Sequence, residues 1–235
     1  NLINIVVHPS IGGNSFATAT EVYCYTRPAG NLAISAPTGG SGTYSNWVWE
    51  SSTNGTTWTA IVGATSEDYN PGVLTNTTNA TTSHYYRRKL TSGPCTQATS
   101  NTLRININPK PIVTDQSTKT ICSEGTFTVN PTNVAGNVIP SGTVYKWTFV
   151  PNANISGATT NTGTASAMSQ TLTNLTNVVQ TLVYTVTPTS GAGVNVCDGD
   201  NFTVTVTVNP KPTIAAKTVT ADCSGAVSVT PSNTA

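Results

Sequence analysis

The sequence predicts an all-β protein built from tandem β-sandwich modules in a rod, and three observations support this prediction. Threonine is the commonest residue, and charged residues make up only 8% of the chain. Such a composition favours strands over helices, because side chains branched at Cβ are stiff and pack well on a pleated sheet. Apolar and polar residues alternate in several segments, as half-buried strands require. A long repeat also recurs along the chain, which is typical of modules joined in series.

Charge and hydrophobicity exclude two classes of partner. The net charge is only +1, whereas nucleic-acid binding requires clustered Lys and Arg side chains. The single basic run, Arg87-Arg88-Lys89, lies in an alternating pattern and is interpreted as a solvated strand face. No run of 18 apolar residues occurs, so no membrane insertion is expected in this segment.

The clearest internal repeat joins an alternating strand to a Pro-x-Pro element. Arg104–Pro111 returns as Thr205–Pro212, and a weaker copy lies at Asn4–Pro9. The leading prolines of the three copies are 100 and then 101 residues apart. Because proline fixes φ and favours extended backbone, each element predicts a short, stiff linker between modules.

Two further landmarks recur at about the same spacing. Gly42–Trp47 matches Gly142–Trp147, again 100 residues later. Cysteines also recur, after each linker and again just before each final strand, at Cys24, Cys122 and Cys223 and at Cys95 and Cys197 respectively. These landmarks predict a division into the end of a preceding module at 1–9, complete modules at 10–108 and 109–209, and the start of a truncated third module at 210–235.

The chain is expected to be an internal fragment of a longer protein. A strand is predicted already at residues 2–7, with no signal peptide before it, and the sequence stops abruptly near its end. Both ends therefore look cut.

Within each module, about seven short strands with turns between them predict an immunoglobulin-like sandwich. In the first, Asn46–Ser52 is a central strand, and Asn54-Gly55 predicts a type I′ hairpin that sets Trp49 opposite Ala60. The last two strands are predicted at 83–90 and 101–108 and again at 181–187 and 201–209, whereas 152–174 receives no assignment. The aromatic residues predicted for the cores are Trp47, Trp49, Trp58, Trp147 and Phe149. The alternative for the tryptophans is a sugar-stacking platform on an exposed face.

Five cysteines in such a chain predict an oxidising, extracellular setting and disulfide bonds. A metal site is disfavoured, because no Cys-x-x-Cys occurs and His8 and His84 stand apart from every cysteine.

Two disulfide patterns stay open. Pairing within modules joins Cys24 to Cys95 and Cys122 to Cys197, and leaves Cys223 without a partner. However, the predicted topology places Cys24 and Cys95 at opposite ends of a sandwich roughly 25–30 Å long, whereas a disulfide accepts Cα atoms about 4.4–6.8 Å apart. The alternative joins Cys24 to Cys197 across the linker. Cys95 and Cys122 would then pair with modules before and after.

The sequence indicates no enzyme and no cofactor. The nine carboxylates are scattered, and no Gly-x-Ser-x-Gly or phosphate-binding glycine loop occurs. One oxygen-rich cluster, Asp198, Asp200 and Asn201, is a weak candidate for Ca²⁺. Its plainer interpretation is a hairpin turn between the last two strands, where these residue types supply the turn geometry.

Several segments resemble the repeats of very large bacterial surface proteins. The first module resembles immunoglobulin-like and polycystic-kidney-disease-like (PKD-like) repeats at Trp49–Thr59, Gly63–Thr65, Tyr69–Gly72 and Tyr85–Arg88. The second is similar to PKD-like repeats from Ile121–Gly125 to Val208–Pro212. Gliding-motility adhesins of the SprB type carry such repeats, so the resemblance implies an exported surface protein. The C-terminal sorting domain of that family is absent here.

The leading hypothesis is therefore a structural spacer, a stalk or filament that projects an adhesive tip from the cell surface for attachment or gliding. Its expected partners are neighbouring modules of the same chain. A second hypothesis is a binding module of a secreted multidomain protein, whose loops or edge strands bind surface polysaccharide or other surface proteins. A third is the accessory part of a secreted hydrolase. Buried tryptophans favour the spacer, and an exposed aromatic row favours the binding module.

Overall fold

The computed structural model describes residues 3–114, 116–190 and 196–212, and these form two compact units. The first unit contains residues 3–110 together with Ser190, Val196 and Cys197. The second contains the described residues of 111–189 and 198–212. Ser190, Val196 and Cys197 thus belong to the second module by sequence and to the first unit by their contacts. Cys223 and the predicted third module, apart from residues 210–212, lie outside the described residues.

The first unit is a sandwich of one large and one small sheet. The large sheet has the order β1-β8-β6-β3-β4, with β7 also paired to β6, and the small sheet pairs β2 with β5. Strand β1 runs parallel to β8, and the other pairs are antiparallel. The strands are β1 (Thr20–Cys24), β2 (Thr26–Arg27), β3 (Ser45–Ser52), β4 (Thr59–Ala60), β5 (Leu74–Thr75), β6 (Thr82–Ser92), β7 (Cys95–Thr99) and β8 (Leu103–Asn108).

The core of the first unit follows from alternation along its strands. In β8, Leu103, Ile105 and Ile107 are buried, whereas the polar residues between them face outward, because successive strand residues point to opposite faces. The buried apolar cluster of this unit consists of Phe16, Leu32, Trp49, Tyr86, Leu103, Ile105 and Ile107.

The second unit is built on the same plan. Its larger sheet has the order β13-β11-β15-β17-β9, with β16 also paired to β15, and the smaller sheet has the order β10-β14-β12. Strand β9 runs parallel to β17, as β1 does to β8. The strands are β9 (Gln116–Cys122), β10 (Gly125–Val129), β11 (Val144–Phe149), β12 (Ile155–Ser156), β13 (Asn161–Ala165), β14 (Met168–Asn174), β15 (Gln180–Ser190), β16 (Cys197–Asp198) and β17 (Phe202–Asn209).

Both sheets contribute to one core in the second unit. Phe127 of β10 lies 5.7 Å from Tyr184 of β15, ring centre to ring centre. In β17 the threonines alternate with four buried apolar residues, Phe202, Val204, Val206 and Val208. Burial raises the pKa of the Tyr184 hydroxyl, which donates a hydrogen bond of 2.8 Å to Gln170 Oε1.

The predicted fold class is confirmed as all-β, with tandem β-sandwich modules. The segment 152–174, left unassigned from sequence, contains β12, β13 and β14. Its strands are short or rich in Thr and Asn, so the alternation of apolar residues is weak there. The predicted module boundaries stay a prediction.

The strand predicted at residues 2–7 does not form among the residues described. Residues 3–10 belong to no strand, and Ile3, Ile5 and Val7 are exposed. The equivalent segments β8 and β17 are each paired on two sides within their sheets, whereas residues 3–10 have no neighbouring strand. Alternation alone does not form a strand, because the backbone groups also need a partner.

The hairpin between β3 and β4 has a different register from the predicted one. Glu50 pairs with Ala60 and Ser51 with Thr59, whereas the predicted turn set Trp49 opposite Ala60. The turn is wider because the Ser52 hydroxyl accepts hydrogen bonds from the Asn54 and Gly55 amides. Only Gly55 of the two turn residues has a positive φ, so the turn is not type I′.

Candidate functional sites

A disulfide bond joins Cys24 to Cys197, with the two Cα atoms 5.5 Å apart and a sequence separation of 173. Cys24 is the last residue of β1, where it lies beside Asn108 of β8. Cys197 is the first residue of β16 and is almost fully buried. Both cysteines lie in the first compact unit, although by sequence they belong to successive repeats.

The alternative pairing within modules does not occur, since Cys95 and Cys122 carry free thiols. Strand direction supplies the reason. Cys24 lies at the end of the sheet where Thr82 of β6 pairs with Ile107. Cys95 pairs with Ser92 at the opposite end of β6, an 11-residue strand. At about 3.3 Å per residue, that distance is roughly 30 Å, several times the Cα separation that a disulfide accepts.

The predicted solvated face at residues 87–89 is wrong for its central residue, because Arg88 is completely buried. Its guanidinium donates hydrogen bonds to Asn14 Oδ1 at 2.8 Å, to the Ser35 carbonyl at 2.8 Å and to the Glu67 carbonyl at 3.0 Å. It also lies 4.9 Å from the ring centre of Trp47. Burial lowers the pKa of Arg88, while Glu67 and Asp68 oppose that shift.

The residues on either side of Arg88 face outward and share one carboxylate. Arg87 and Lys89 both form ion pairs with Glu50 of β3. Burial opposes ionisation of Glu50, but the hydrogen bonds from Lys89 and Arg87 outweigh it and hold the pKa of Glu50 below its ordinary value. Trp58 covers this network from one side, with its ring centre 4.2 Å from the Arg87 guanidinium.

The predicted core aromatics differ in burial. Trp49 is fully buried and Trp147 is 5% exposed, and each indole donates a hydrogen bond to a backbone carbonyl, that of Ser66 and of Thr159 respectively. The remaining three, Trp47, Trp58 and Phe149, are partly buried. Trp49 and Trp58 do not share a face, because Trp58 lies over Arg87 whereas Trp49 lies beside Arg88, the next residue of β6.

A polar pocket of about 420 Å³ lies at the β3–β4 turn. Hydroxyl and amide groups dominate its lining, which consists of Ser51, Ser52, Thr53, Asn54, Thr57, Thr59, His84 and Tyr86. Burial lowers the pKa of His84 and raises that of Tyr86 to about 12, where Tyr69 adds to the effect. Both side chains therefore stay neutral at pH 7, and the pocket presents uncharged hydrogen-bonding groups.

The weak Ca²⁺ candidate has other partners in the structure. Asp198 Oδ1 accepts a hydrogen bond of 2.6 Å from the Thr189 hydroxyl and lies 3.6 Å from Lys146 Nζ. Asn201 Oδ1 accepts a hydrogen bond of 2.7 Å from the Thr187 hydroxyl. The third member, Asp200, lies in the turn between β16 and β17. An adjacent lysine ammonium competes with a bound cation, so these contacts favour the hairpin-turn interpretation.

A repeated asparagine clamp was not found from the sequence. Asn174 donates from its side-chain amide to the carbonyls of Val178 and Val208, at 2.8 and 2.9 Å, and its Oδ1 accepts from Thr176. In the first unit, Asn76 donates in the same way to the carbonyls of Ala80 and Ile107, both at 2.7 Å. The signal available was Asn-x-Thr directly after β5 and again from the last residue of β14, at the 98-residue offset that also separates Cys24 from Cys122.

Among the described residues, no three His, Cys, Asp or Glu side chains are grouped so as to hold a metal ion. The same residues include no helix with the length and hydrophobicity needed to cross a membrane.

Two family models match separate segments of the chain. Residues 119–212 match the PKD-like domain, and residues 13–109 match a domain of unknown function (DUF8696). Neither description names a catalytic activity. No curated protein matches the chain.

Several solved structures of multi-domain proteins are similar to this chain at low sequence identity. A four-domain immunoglobulin fragment of Dscam1 is 9% identical, with a TM-score of 0.41 over 89% of this chain and 48% of that one. A three-domain immunoglobulin fragment of titin is 10% identical, with a TM-score of 0.43 over 84% of this chain and 66% of that one. A SusE-like surface located polysaccharide binding protein from Bacteroides thetaiotaomicron is 12% identical, with a TM-score of 0.31 over 86% and 34%.

This chain thus spans about half the Dscam1 fragment, at 48%, and about a third of the bacterial protein, at 34%. Tandem modules of this kind are typical of surface and adhesion proteins and are typically not catalytic. Residues 119–212 of this chain thus resemble the PKD-like domain, residues 13–109 resemble a domain of unknown function, and each of these segments lies mainly in a β-sandwich unit.

Proposed function

We propose that this chain is a spacer segment of an extracellular surface protein, which holds neighbouring domains together under tension and projects a binding region away from the cell. The single observation that supports this role most directly is the Cys24–Cys197 disulfide. Disulfides persist in oxidising compartments, which agrees with an exported protein.

The disulfide shortens the covalent path between the two ends of the chain, because it bypasses the residues between Cys24 and Cys197. Tension applied to the two ends enters through β1, crosses the bond at Cys24 and leaves through Cys197, β16 and β17. The strands of both cores that lie between residues 24 and 197 are outside that covalent path. A spacer built in this way keeps its length even when a module unfolds, because the bond prevents the intervening chain from extending.

The burial of Trp49 and Trp147 agrees with a structural role. Each of these rings is enclosed in its own core and satisfies its indole N–H internally, so neither is available to stack on a sugar.

Single-molecule stretching between the two termini tests the proposal. In the oxidised protein, unfolding is expected to release no length from the chain between Cys24 and Cys197. Addition of a reductant is expected to release about 600 Å more, from a sequence separation of 173 at roughly 3.5 Å per residue. A Cys24→Ser variant is expected to show the long extension without reductant, whereas the matched control Cys95→Ser behaves as the parent protein does.

The proposal fails if the oxidised parent protein and its Cys24→Ser variant extend to the same length. In that case the bond does not divert force, and the chain gives its neighbours no protection against extension.

A second candidate function is binding of a neutral polysaccharide at the polar pocket beside the β3–β4 turn. Its hydroxyl lining and the neutral His84 offer donors and acceptors to sugar hydroxyls, and Trp58 is partly exposed close by. Affinity electrophoresis in soluble polysaccharides tests this candidate. Retardation that is lost in Trp58→Ala and His84→Ala but kept in Tyr44→Phe supports it, and equal mobility of all four proteins excludes it.

A further inference from the structure

The second unit ends in the same local structure that holds the disulfide in the first. Cys122 is the last residue of β9 and lies beside Asn209 of β17, as Cys24 lies beside Asn108 of β8. In both units the residue after the cysteine donates its amide to that asparagine's carbonyl at 2.8 Å, from Tyr25 in one and Ser123 in the other.

The asparagine clamp extends this equivalence to the neighbouring turn. Asn76 fixes the turn after β5 to the Ile107 carbonyl, and Asn174 fixes the turn after β14 to the Val208 carbonyl. Each clamped carbonyl directly precedes the asparagine that flanks the cysteine. The backbone that presents Cys122 is thus held by the same contacts as the backbone that presents Cys24.

Cys24 and Cys122 differ in the bonding of their sulfur atoms. Cys24 is bonded to Cys197, and its Sγ also contacts the Val196 carbonyl at 3.4 Å. The Ser190 hydroxyl adds a hydrogen bond of 2.9 Å to the Pro109 carbonyl, so more than the covalent bond holds this segment in place. Cys122 is exposed and carries a free thiol.

A free cysteine is also present at the position equivalent to Cys197, the other partner of the disulfide. Cys95 begins β7, which pairs with the end of β6, as Cys197 begins β16, which pairs with β15. Cys95 is a partly buried free thiol. Among the described residues, one unused cysteine of each kind is therefore present.

We propose that the Cys122 end of the second unit is a docking site for another repeat of this class, closed by a disulfide to the cysteine at the position of Cys95. Two copies of this chain then join head to tail, with Cys122 of one bonded to Cys95 of the other. This deepens the proposed spacer function and rests on it for its role, because serial bonds of this kind carry tension from one repeat to the next.

The bond forms by thiol–disulfide exchange with a small disulfide such as oxidised glutathione. The Cys122 thiolate attacks that disulfide, forms a mixed disulfide and releases one glutathione thiolate. The Cys95 thiolate of the second copy then displaces the other glutathione thiolate. Two protein thiols are oxidised, and one glutathione disulfide is reduced to two thiols.

The test uses the full chain in a glutathione redox buffer, with Cys223→Ser in every protein so that only the two described thiols compete. Cys95→Ser and Cys122→Ser variants are incubated separately and then as an equal mixture. Non-reducing electrophoresis and peptide mapping measure the linked species. Docking raises the effective concentration of the correct thiol, so the mixture is expected to form at least about tenfold more linked dimer than either variant alone.

The linked peptides in the mixture are expected to contain Cys122 and Cys95. The inference is overturned if each variant alone links as readily as the mixture, or if no linkage forms while Cys24–Cys197 stays oxidised. The second result leaves the proposed function standing, because the force path depends only on the internal bond. Loss of Cys24–Cys197 itself contradicts the proposed function instead.

Discussion

At the scale of single residues, Arg88 connects parts of the first unit that are far apart in sequence. Its three hydrogen-bond acceptors belong to Asn14, Ser35 and Glu67, all outside the strands. A buried charge is costly unless every donor is satisfied, and here neutral oxygens and the Trp47 ring surround the guanidinium. Arg88 therefore fixes three loop segments onto the large sheet.

Replacing Arg88 with lysine tests this role. An ammonium keeps the charge but cannot reach three separately placed acceptors, so Arg88→Lys is expected to lower the free energy of unfolding of the first unit by about 2–3 kcal/mol. The matched control is the adjacent Arg87→Lys, whose site is partly exposed and where Lys89 still pairs with Glu50; its cost is expected below about 1 kcal/mol. Urea unfolding followed by tryptophan fluorescence measures both. Equal costs contradict the account.

His84 makes stability depend on pH. Burial lowers its pKa in the folded state, so the unfolded chain binds the proton more readily. The stability contribution of neutral His84 is fully present above about pH 6.5, the unfolded value, and is lost as the pH falls toward the folded pKa. His84→Gln is expected to flatten the decline in unfolding free energy between pH 7.5 and 5.5. An unchanged decline in that variant shows that another group is responsible.

At the scale of elements, the asparagine clamps determine how each sandwich ends. Each clamp joins a turn to the final strand, β8 or β17, one residue before the asparagine that flanks a cysteine. The carbonyls of Ile107 and Val208 lie in buried surroundings, so the amide donors cannot be replaced by water without cost. The clamps thereby fix the positions of Cys24 and Cys122.

Removing a clamp is expected to cost the same in either unit. Asn174→Ala and Asn76→Ala each leave a buried carbonyl without its donor, for an expected loss of about 2 kcal/mol in unfolding free energy. Asn177→Ala, at an exposed position of the same turn, is the matched control and is expected to change it by less than about 0.5 kcal/mol. Chemical denaturation of the three variants decides the matter. If Asn174→Ala leaves the free energy of unfolding unchanged, the clamp does not contribute to stability.

Strands could be predicted from the sequence where apolar residues recur at every second position. In β8 and β17 apolar and polar residues alternate strictly, and the strands predicted there agree with the observed ones within a few residues. Prediction failed at the β3–β4 turn, where the Ser52 and Asn54 side chains widen the loop through their own hydrogen bonds. The burial of Arg88 could not be predicted from the sequence, because its hydrogen-bond acceptors come from segments 21 to 74 residues away.

At the scale of the whole molecule, the repeat and the disulfide describe different divisions of the chain. The repeat assigns Cys197 to the second module, whereas its contacts place it in the first unit. The 100-residue spacing identified which cysteines are equivalent. It did not identify which are bonded, because that depends on the ends of strands that lie far apart in sequence.

The central claim is that a covalent bond joins successive repeats, and non-reducing peptide mapping tests it most directly. Free thiols are alkylated first, and the protein is then digested at acidic pH so that disulfides do not exchange. For the monomer, in which no bond joins two copies, we predict a linked peptide pair containing Cys24 and Cys197, with Cys95 and Cys122 recovered in alkylated form. A peptide pair that links Cys24 to Cys95, or Cys24 recovered in alkylated form, would contradict it.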